Sequence, residues 1–141
     1  MYESLTQLIP KLNEDEYGTL IVDRESRGTP DDPIRMPFVR YSPVVNELEK
    51  AIYAFKAEHL EFELTKYEET LNSNGLEWSS HSMSEADVSI ADGKLIMALL
   101  IGALRADRFS EGALLGFLED GSVVRWLKRL KEIDEGVELL R

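Results

Sequence analysis

The hydrophobic pattern of the chain is densest in its last third, where residues 95–104 read LIMALLIGAL without a charge. A run this short cannot span a bilayer, which needs about 20 residues. Ala, Leu and Met favour helix, and Lys94 and Arg105 flank the run. We therefore predict a helix over residues 92–106 that is apolar nearly all round, lies in the centre of the core and has Asp92 as its N-cap.

Two shorter helical patterns follow, GALLGFLE and SVVRWLKRLKEID. Ser110 is the predicted N-cap of the first, with Glu111 in its first turn, and Ser122 is the predicted N-cap of the second. Gly121 tolerates a left-handed conformation and should end the first of these helices. Tight turns make the three helices neighbours in space. The last helix carries one apolar stripe at helical spacing: Val123, Trp126, Leu127, Leu130 and Ile133.

The front of the chain contains two stretches with the composition of β-strands, residues 17–22 and 34–41. Joined by a polar loop, they predict an antiparallel hairpin that packs against helices, since a lone hairpin is marginal. Pro37 cannot donate to a ladder and places the second strand at an edge. The alternation predicts that Leu20 and Val22 face the core, opposite Ile34, Met36 and Phe38.

Helical patterns occupy much of the remaining front and middle. We predict an amphipathic helix over residues 3–12, a longer one over 43–58, and a continuation or separate helix over 61–72 that stops before Gly75. Residues 76–89 are rich in serine and are expected to be the least ordered stretch. The predicted fold class is α+β and mainly α, a compact helical bundle with a small antiparallel β-hairpin near the N-terminus, in a single domain.

Charge and composition narrow the function classes. The chain of 141 residues has a net charge of −11, and residues 1–91 hold 18 acidic and 8 basic side chains. Such an excess of acid opposes nonspecific binding to nucleic acid and anionic membranes. Without cysteine there is no disulfide, thiolate chemistry or Cys-ligated zinc. The N-terminal residues MYESLTQL lack the pattern of an export signal, so we expect a cytoplasmic protein.

No catalytic or metal constellation is recognisable. His59 and His81 are the only histidines, and neither has several ligands converging on it. Ser110 lies in no GxSxG motif, and no phosphate-binding loop is present. We therefore predict no cofactor, and we expect a protein that is not an enzyme.

A short motif in the last third, Arg-x-Asp-Arg-Phe-x-Glu-Gly, resembles the C-terminal signature of a bacterial family of short uncharacterised proteins. The resemblance covers most of the chain, although the family usually has a tryptophan-rich helix in the middle, where this chain has Phe62 and Tyr67. It implies a shared fold and no particular activity. The matching residues are Leu8-Ile9-Pro10, Met36-Pro37-Phe38-Val39, Tyr41-Ser42, Ala91-Asp92, Leu104-Arg105, Asp107-Arg108-Phe109, Glu111-Gly112, Gly121 and residues 126–130.

The charged turn of this motif is the first candidate site. Arg105, Asp107 and Arg108 lie between two apolar helices, with Glu111 at the start of the next. One interpretation is an ion-pair and capping cluster; another is a recessed arginine pair for an anionic ligand or a partner's carboxylate. Phe109 occupies a hydrophobic-staple position, which predicts a buried ring packed on Leu114 and near Trp126.

The second candidate is a basic face on the last helix, formed by Arg125, Lys128 and Arg129. With the preceding short helix it has the outline of a helix-turn-helix. We favour a non-enzymatic binding or regulatory module that contacts another protein or a second copy. The alternatives are a helix-turn-helix DNA-binding regulator and a small anionic-ligand binder or enzyme that uses Arg105 and Arg108.

Overall fold

The structure is a computed structural model that describes residues 1–14, 16–21, 28–29 and 38–136. Its central element is the helix Gly93–Phe109, called α6 in the chain-order numbering used below. The Asp92 carboxylate accepts a hydrogen bond of 2.9 Å from the Leu95 N–H, which confirms the predicted N-cap. Every residue from 95 to 104 is buried, so the apolar run forms the centre of the core as expected. The helix continues three residues beyond its predicted end.

Two later helices pack on α6: α7, Ala113–Glu119, and α8, Ser122–Asp134. The predicted stripe of α8 is buried, with Ile133 partly so. Trp126 is fully buried and its ring centroid lies 5.5 Å from that of Phe117. The prediction of three neighbouring helices is confirmed.

The predicted serine caps of these two helices are wrong. Ser110 is the C-cap of α6, and the N-cap of α7 is Gly112, with φ 89°. Ser122 is the first residue of α8, whose N-cap is Gly121, with φ 84°. Both connections bend through a left-handed glycine, a conformation that costs glycine little, so the serines are displaced from the cap positions.

The N-terminal helix is split in two, α1, Glu3–Thr6, and α2, Ile9–Glu14. Pro10 lies in the first turn of α2, where its missing N–H costs nothing. The helix α3, Pro43–Glu58, has the predicted bounds, and its apolar residues at helical spacing are buried: Val44, Val45, Leu48, Ile52 and Phe55. Four apolar residues of α1, α2 and the turn between them are buried: Leu5, Leu8, Ile9 and Leu12.

Between α3 and α6 the chain forms two 3-10 turns, Leu60–Phe62 and Leu64–Lys66, then α4, Tyr67–Ser73. A short helix follows, α5, Ser80–Ser84, capped by the Ser79 side chain. The prediction that residues 76–89 are the least ordered stretch is wrong, because they include a capped helix and a fully buried side chain. Met83 is fully buried in the core, and Trp78 packs against it.

The hairpin is confirmed as two antiparallel strands, β1, Gly18–Ile21, and β2, Phe38–Tyr41. Leu20 pairs with Val39 across the ladder. Val39 is buried and Phe38 is 41% exposed, so the prediction that Phe38 faces inward is wrong. Two adjacent apolar residues left the inward face ambiguous, because neighbouring side chains on a strand point to opposite faces. The predictions for Val22, Ile34, Met36 and Pro37 lie outside the described residues.

The architecture is α+β and mainly α, with a small antiparallel hairpin near the N-terminus, as predicted.

Candidate functional site

The turn between α6 and α7 is held by the carboxylate of Asp107. Its Oδ1 accepts hydrogen bonds from the backbone N–H groups of Gly112 and Leu114, both at 3.1 Å. The same oxygen accepts a hydrogen bond of 2.9 Å from the Tyr41 hydroxyl. The capping function predicted for Ser110 is therefore supplied by a side chain from the last turns of the preceding helix.

The same turn fixes the hairpin. The Tyr41 hydroxyl also accepts a hydrogen bond of 3.1 Å from the Leu115 N–H, and Glu111 Oε1 accepts one of 2.6 Å from the Val39 N–H. Burial, followed by the hydrogen bond to Asp107, raises the pKa of Tyr41 well above its usual value. We call Tyr41, Asp107 and Glu111 the hairpin anchor. Two of the predicted site residues thus have structural contacts.

The two arginines of the motif are not part of the hairpin anchor. Arg105 is half-buried and Arg108 is exposed, and neither forms an ion pair with any described residue. The sequence predicts that these arginines pair with Asp107, Glu111 or acids from the front of the chain. Several of the front acids lie outside the described residues, and pairing with Asp107 or Glu111 is wrong. Both carboxylates are engaged by N–H and O–H donors of the turn and the hairpin.

Phe109 is 75% exposed, so its predicted burial against Leu114 and Trp126 is wrong. The reason is the extra length of α6: Phe109 belongs to the final turn of that helix and not to the start of α7. Its ring lies edge-to-face with the indole of Trp78, at 5.9 Å between centroids and 84° between planes.

Trp78 links this exposed ring to the core. Its Nε1 donates a hydrogen bond of 2.9 Å to the Gly102 carbonyl oxygen, and its ring meets Tyr67 edge-on at 5.4 Å. A Cβ at position 102 would lie 3.5 Å from the indole and 3.1 Å from Met83, so glycine allows this close packing. We call the rings of Tyr67, Trp78 and Phe109, together with Arg105 and Arg108 in the last turns of the helix that carries Phe109, the aromatic–arginine surface.

The sequence pattern does not identify Trp78 as a residue of this surface. A glycine in the middle of an apolar helix was the available signal, because such a glycine often marks close packing. It does not indicate which distant side chain fills the space.

A groove of about 300 Å³ lies between α5, the turn after α6 and α7. Its lining includes Ser80, Ser84, Ser110 and the carboxylates of Glu111 and Asp120, but neither Arg105 nor Arg108. A lining with two acidic residues and neither arginine does not suit the anionic ligand predicted as an alternative for Arg105 and Arg108.

The predicted basic face of α8 is only partly exposed. Arg129 is buried and its Nε donates a hydrogen bond of 2.9 Å to the Ala91 carbonyl oxygen. Arg125 donates one of 2.7 Å to the Ser84 carbonyl oxygen. Lys128 alone of the three is exposed, so the prediction of a continuous basic recognition face is wrong.

Of the two histidines, His59 packs against an aromatic ring and His81 is exposed. His59 stacks on Phe55 at 4.2 Å, and its Nδ1 lies 3.2 Å from a Glu61 carboxylate oxygen. Within the ranges that the structure describes, no group of three or more His, Asp or Glu side chains is placed to hold a metal ion. No helix in the same ranges has the length and apolar character needed to cross a membrane.

Comparison with known proteins gives a family without a described activity. No curated protein and no solved structure matches the chain. A sequence profile covering residues 2–136, nearly the whole chain, does match. The chain therefore belongs to DUF6508, a family of unknown function.

Proposed function

We propose that this protein is a non-enzymatic binding module that contacts another protein through the aromatic–arginine surface. The observation that carries the proposal is the position of Phe109. A large apolar ring is 75% exposed at the end of the most deeply buried helix. Tryptophan, tyrosine and arginine are the residues most enriched among the energetic centres of protein interfaces, and phenylalanine is enriched in interface cores.

The support of the ring favours recognition. Phe109 contacts Trp78, whose indole is itself fixed by its hydrogen bond to Gly102. An anchor that is held in place before binding loses little side-chain entropy on association. The exposed ring is therefore better suited to binding than a mobile side chain would be.

Charge indicates the chemistry of the partner. The chain has 27 acidic side chains against 16 basic ones, yet no described carboxylate pairs with Arg105 or Arg108. Arginine binds carboxylates bidentately. The surface thus suits a partner segment with an apolar side chain for the aromatic rings and a carboxylate for the arginines.

The helix-turn-helix alternative has less support. A recognition helix needs its basic side chains free to enter the major groove. Arg129 is buried, and Arg125 is bonded to the Ser84 carbonyl oxygen.

Photo-crosslinking in the source cells tests the proposal. A photoreactive phenylalanine analogue at position 109 should give a discrete adduct with one protein, which can be a second copy. Leu60 is 78% exposed and provides the matched control position. The adduct should disappear when Arg105→Glu and Arg108→Glu are combined. Equal, nonspecific adducts from positions 60 and 109 would contradict the proposal.

A further inference from the structure

A second recess lies between α8 and the segment of residues 86–89 that leads toward α6. It has a volume of about 290 Å³, and its lining includes Arg125, Lys128 and Arg129 together with the carboxylates of Asp87 and Glu132. We call it the basic groove. Three cations on adjacent turns of one helix are a local excess of positive charge on a chain of net charge −11.

Arg129 is the most buried of these three cations. Its side chain is 7% exposed, and its only ion pair with a described residue joins Nη1 to Glu132 Oε1 at 3.4 Å. The guanidinium has five N–H donors, and its hydrogen bonds to described residues use Nε and one N–H of Nη1. A buried cation with so weak a counter-charge is costly, and an added anion would lower that cost.

The other charged groups leave the groove positive. Lys128 is exposed and makes no ion pair with the described residues. Asp87 instead accepts hydrogen bonds from the Ser89 N–H at 3.0 Å and the Ser89 hydroxyl at 2.7 Å, and these bonds lower the pKa of Asp87. Its carboxylate is therefore ionised, and the three cations and two carboxylates of the lining leave a net charge of +1. Arg125 is held by its bond to the Ser84 carbonyl oxygen and has further N–H donors.

We propose that the basic groove binds an oxyanion, either a carboxylate or a phosphate group, with Arg129 and Lys128 as its direct partners and Arg125 at its rim. Forked guanidinium donors suit the paired oxygens of both groups, and the ammonium adds a mobile point charge. This site is separate from the aromatic–arginine surface and does not depend on the proposed protein contact.

The test is a titration of the full chain, followed by amide NMR, with inorganic phosphate, with acetate, and with chloride at matched ionic strength. The proposal expects saturable shifts in residues 86–89 and 125–132 with phosphate, acetate or both, and none with chloride. Saturation by phosphate alone assigns a phosphate ligand, and saturation by acetate assigns a carboxylate. Lys128→Gln should raise Kd about tenfold, as the loss of one charge-assisted hydrogen bond does.

Two variants make the result decisive. Lys131→Gln removes the same charge from an exposed position of α8 that is not among the groove's lining residues, and should leave Kd unchanged. Leu60→Ala changes an exposed apolar side chain that does not line the groove, and should also leave Kd unchanged. Shifts that follow ionic strength alike for all three anions, or equal losses from Lys128→Gln and Lys131→Gln, would overturn the proposal.

Discussion

Asp107 connects three parts of the molecule through one carboxylate oxygen: the N-terminal turn of α7, the end of α6 and the hairpin. An anion at a helix N-terminus is stabilised by the free N–H groups and the helix dipole. Tyr41 makes the arrangement cooperative, because its hydroxyl donates to Asp107 and accepts from the Leu115 N–H. We infer that the acidic residues of the motif, Asp107 and Glu111, mainly position the turn and the hairpin.

Replacement of Asp107 should therefore destabilise the fold. Asp107→Ala leaves two backbone N–H groups and the Tyr41 hydroxyl without their acceptor, which should cost about 2–3 kcal/mol of unfolding free energy. Arg108→Ala, next in sequence and exposed, should change it by less than about 0.5 kcal/mol. Urea unfolding measures both. If Asp107→Ala lowered the free energy of unfolding as little as Arg108→Ala, the hairpin anchor would not stabilise the fold.

The phenol of Tyr2 should make the free energy of unfolding depend on pH. It is buried against Phe55, and burial raises the pKa of its phenol from 10.0 to about 12. A raised pKa means that the folded state holds the proton more tightly than the unfolded state does. The stabilisation is complete below pH 10 and is lost as the pH rises toward about 12.

Urea unfolding between pH 8 and pH 11 should show this loss, and Tyr2→Phe should reduce its slope because the titrating group is gone. An identical alkaline slope in the variant and the parent would exclude Tyr2 as a contributor. Tyr41, whose pKa is also raised, accounts for part of the slope that remains.

At the scale of elements, sequence pattern was most reliable where the apolar period was long. The helices α3 and α6 were predicted because their buried stripes are continuous along the sequence. The segment with α5 was missed because serines dominate it, and its burial depends on dispersed residues such as Met83 and Val88 that meet distant partners. The aromatic–arginine surface was likewise only half predicted. Phe109 and the arginines lie in the motif, but Trp78 reaches them only through the tertiary fold.

Substitution by alanine should have opposite effects on the stability of the protein at two glycines, Gly93 and Gly116. A Cβ on Gly93, the first residue of α6, would lie 1.7 Å from the Tyr2 hydroxyl oxygen, whereas one on Gly116 in α7 has nothing within 4 Å. Gly93→Ala should cost about 1–3 kcal/mol, because Tyr2 must move. Gly116→Ala should stabilise by about 0.5–1 kcal/mol through helix propensity.

Thermal or urea unfolding of the two glycine variants is the measurement. A Gly93→Ala protein as stable as the parent would show that Tyr2 does not pack against the start of α6.

At the scale of the whole molecule, charge separates the candidate functions. The acidic excess lies in residues 1–91, and of the three cations of α8 only Lys128 is exposed. DNA binding depends on neutralisation of many backbone phosphates by exposed cations. Both observations argue against DNA binding.

We therefore expect a mobility-shift assay at physiological salt to show no duplex DNA binding tighter than roughly the micromolar nonspecific range. A nanomolar complex that weakens steeply with added salt would contradict this and restore the helix-turn-helix function.

The central claim is that Phe109 contributes to binding and not to folding. Its most direct test is the Kd of the crosslinked partner, purified and titrated calorimetrically against the parent, Phe109→Ala and Leu60→Ala proteins. If Phe109 is an energetic centre of the interface, its truncation should cost at least about 2 kcal/mol, roughly 30-fold in Kd. The free energy of unfolding should change by less than about 1 kcal/mol, and Leu60→Ala should bind like the parent. Unchanged affinity for Phe109→Ala, or a loss of 3–5 kcal/mol in its stability as for a buried ring, would contradict the account.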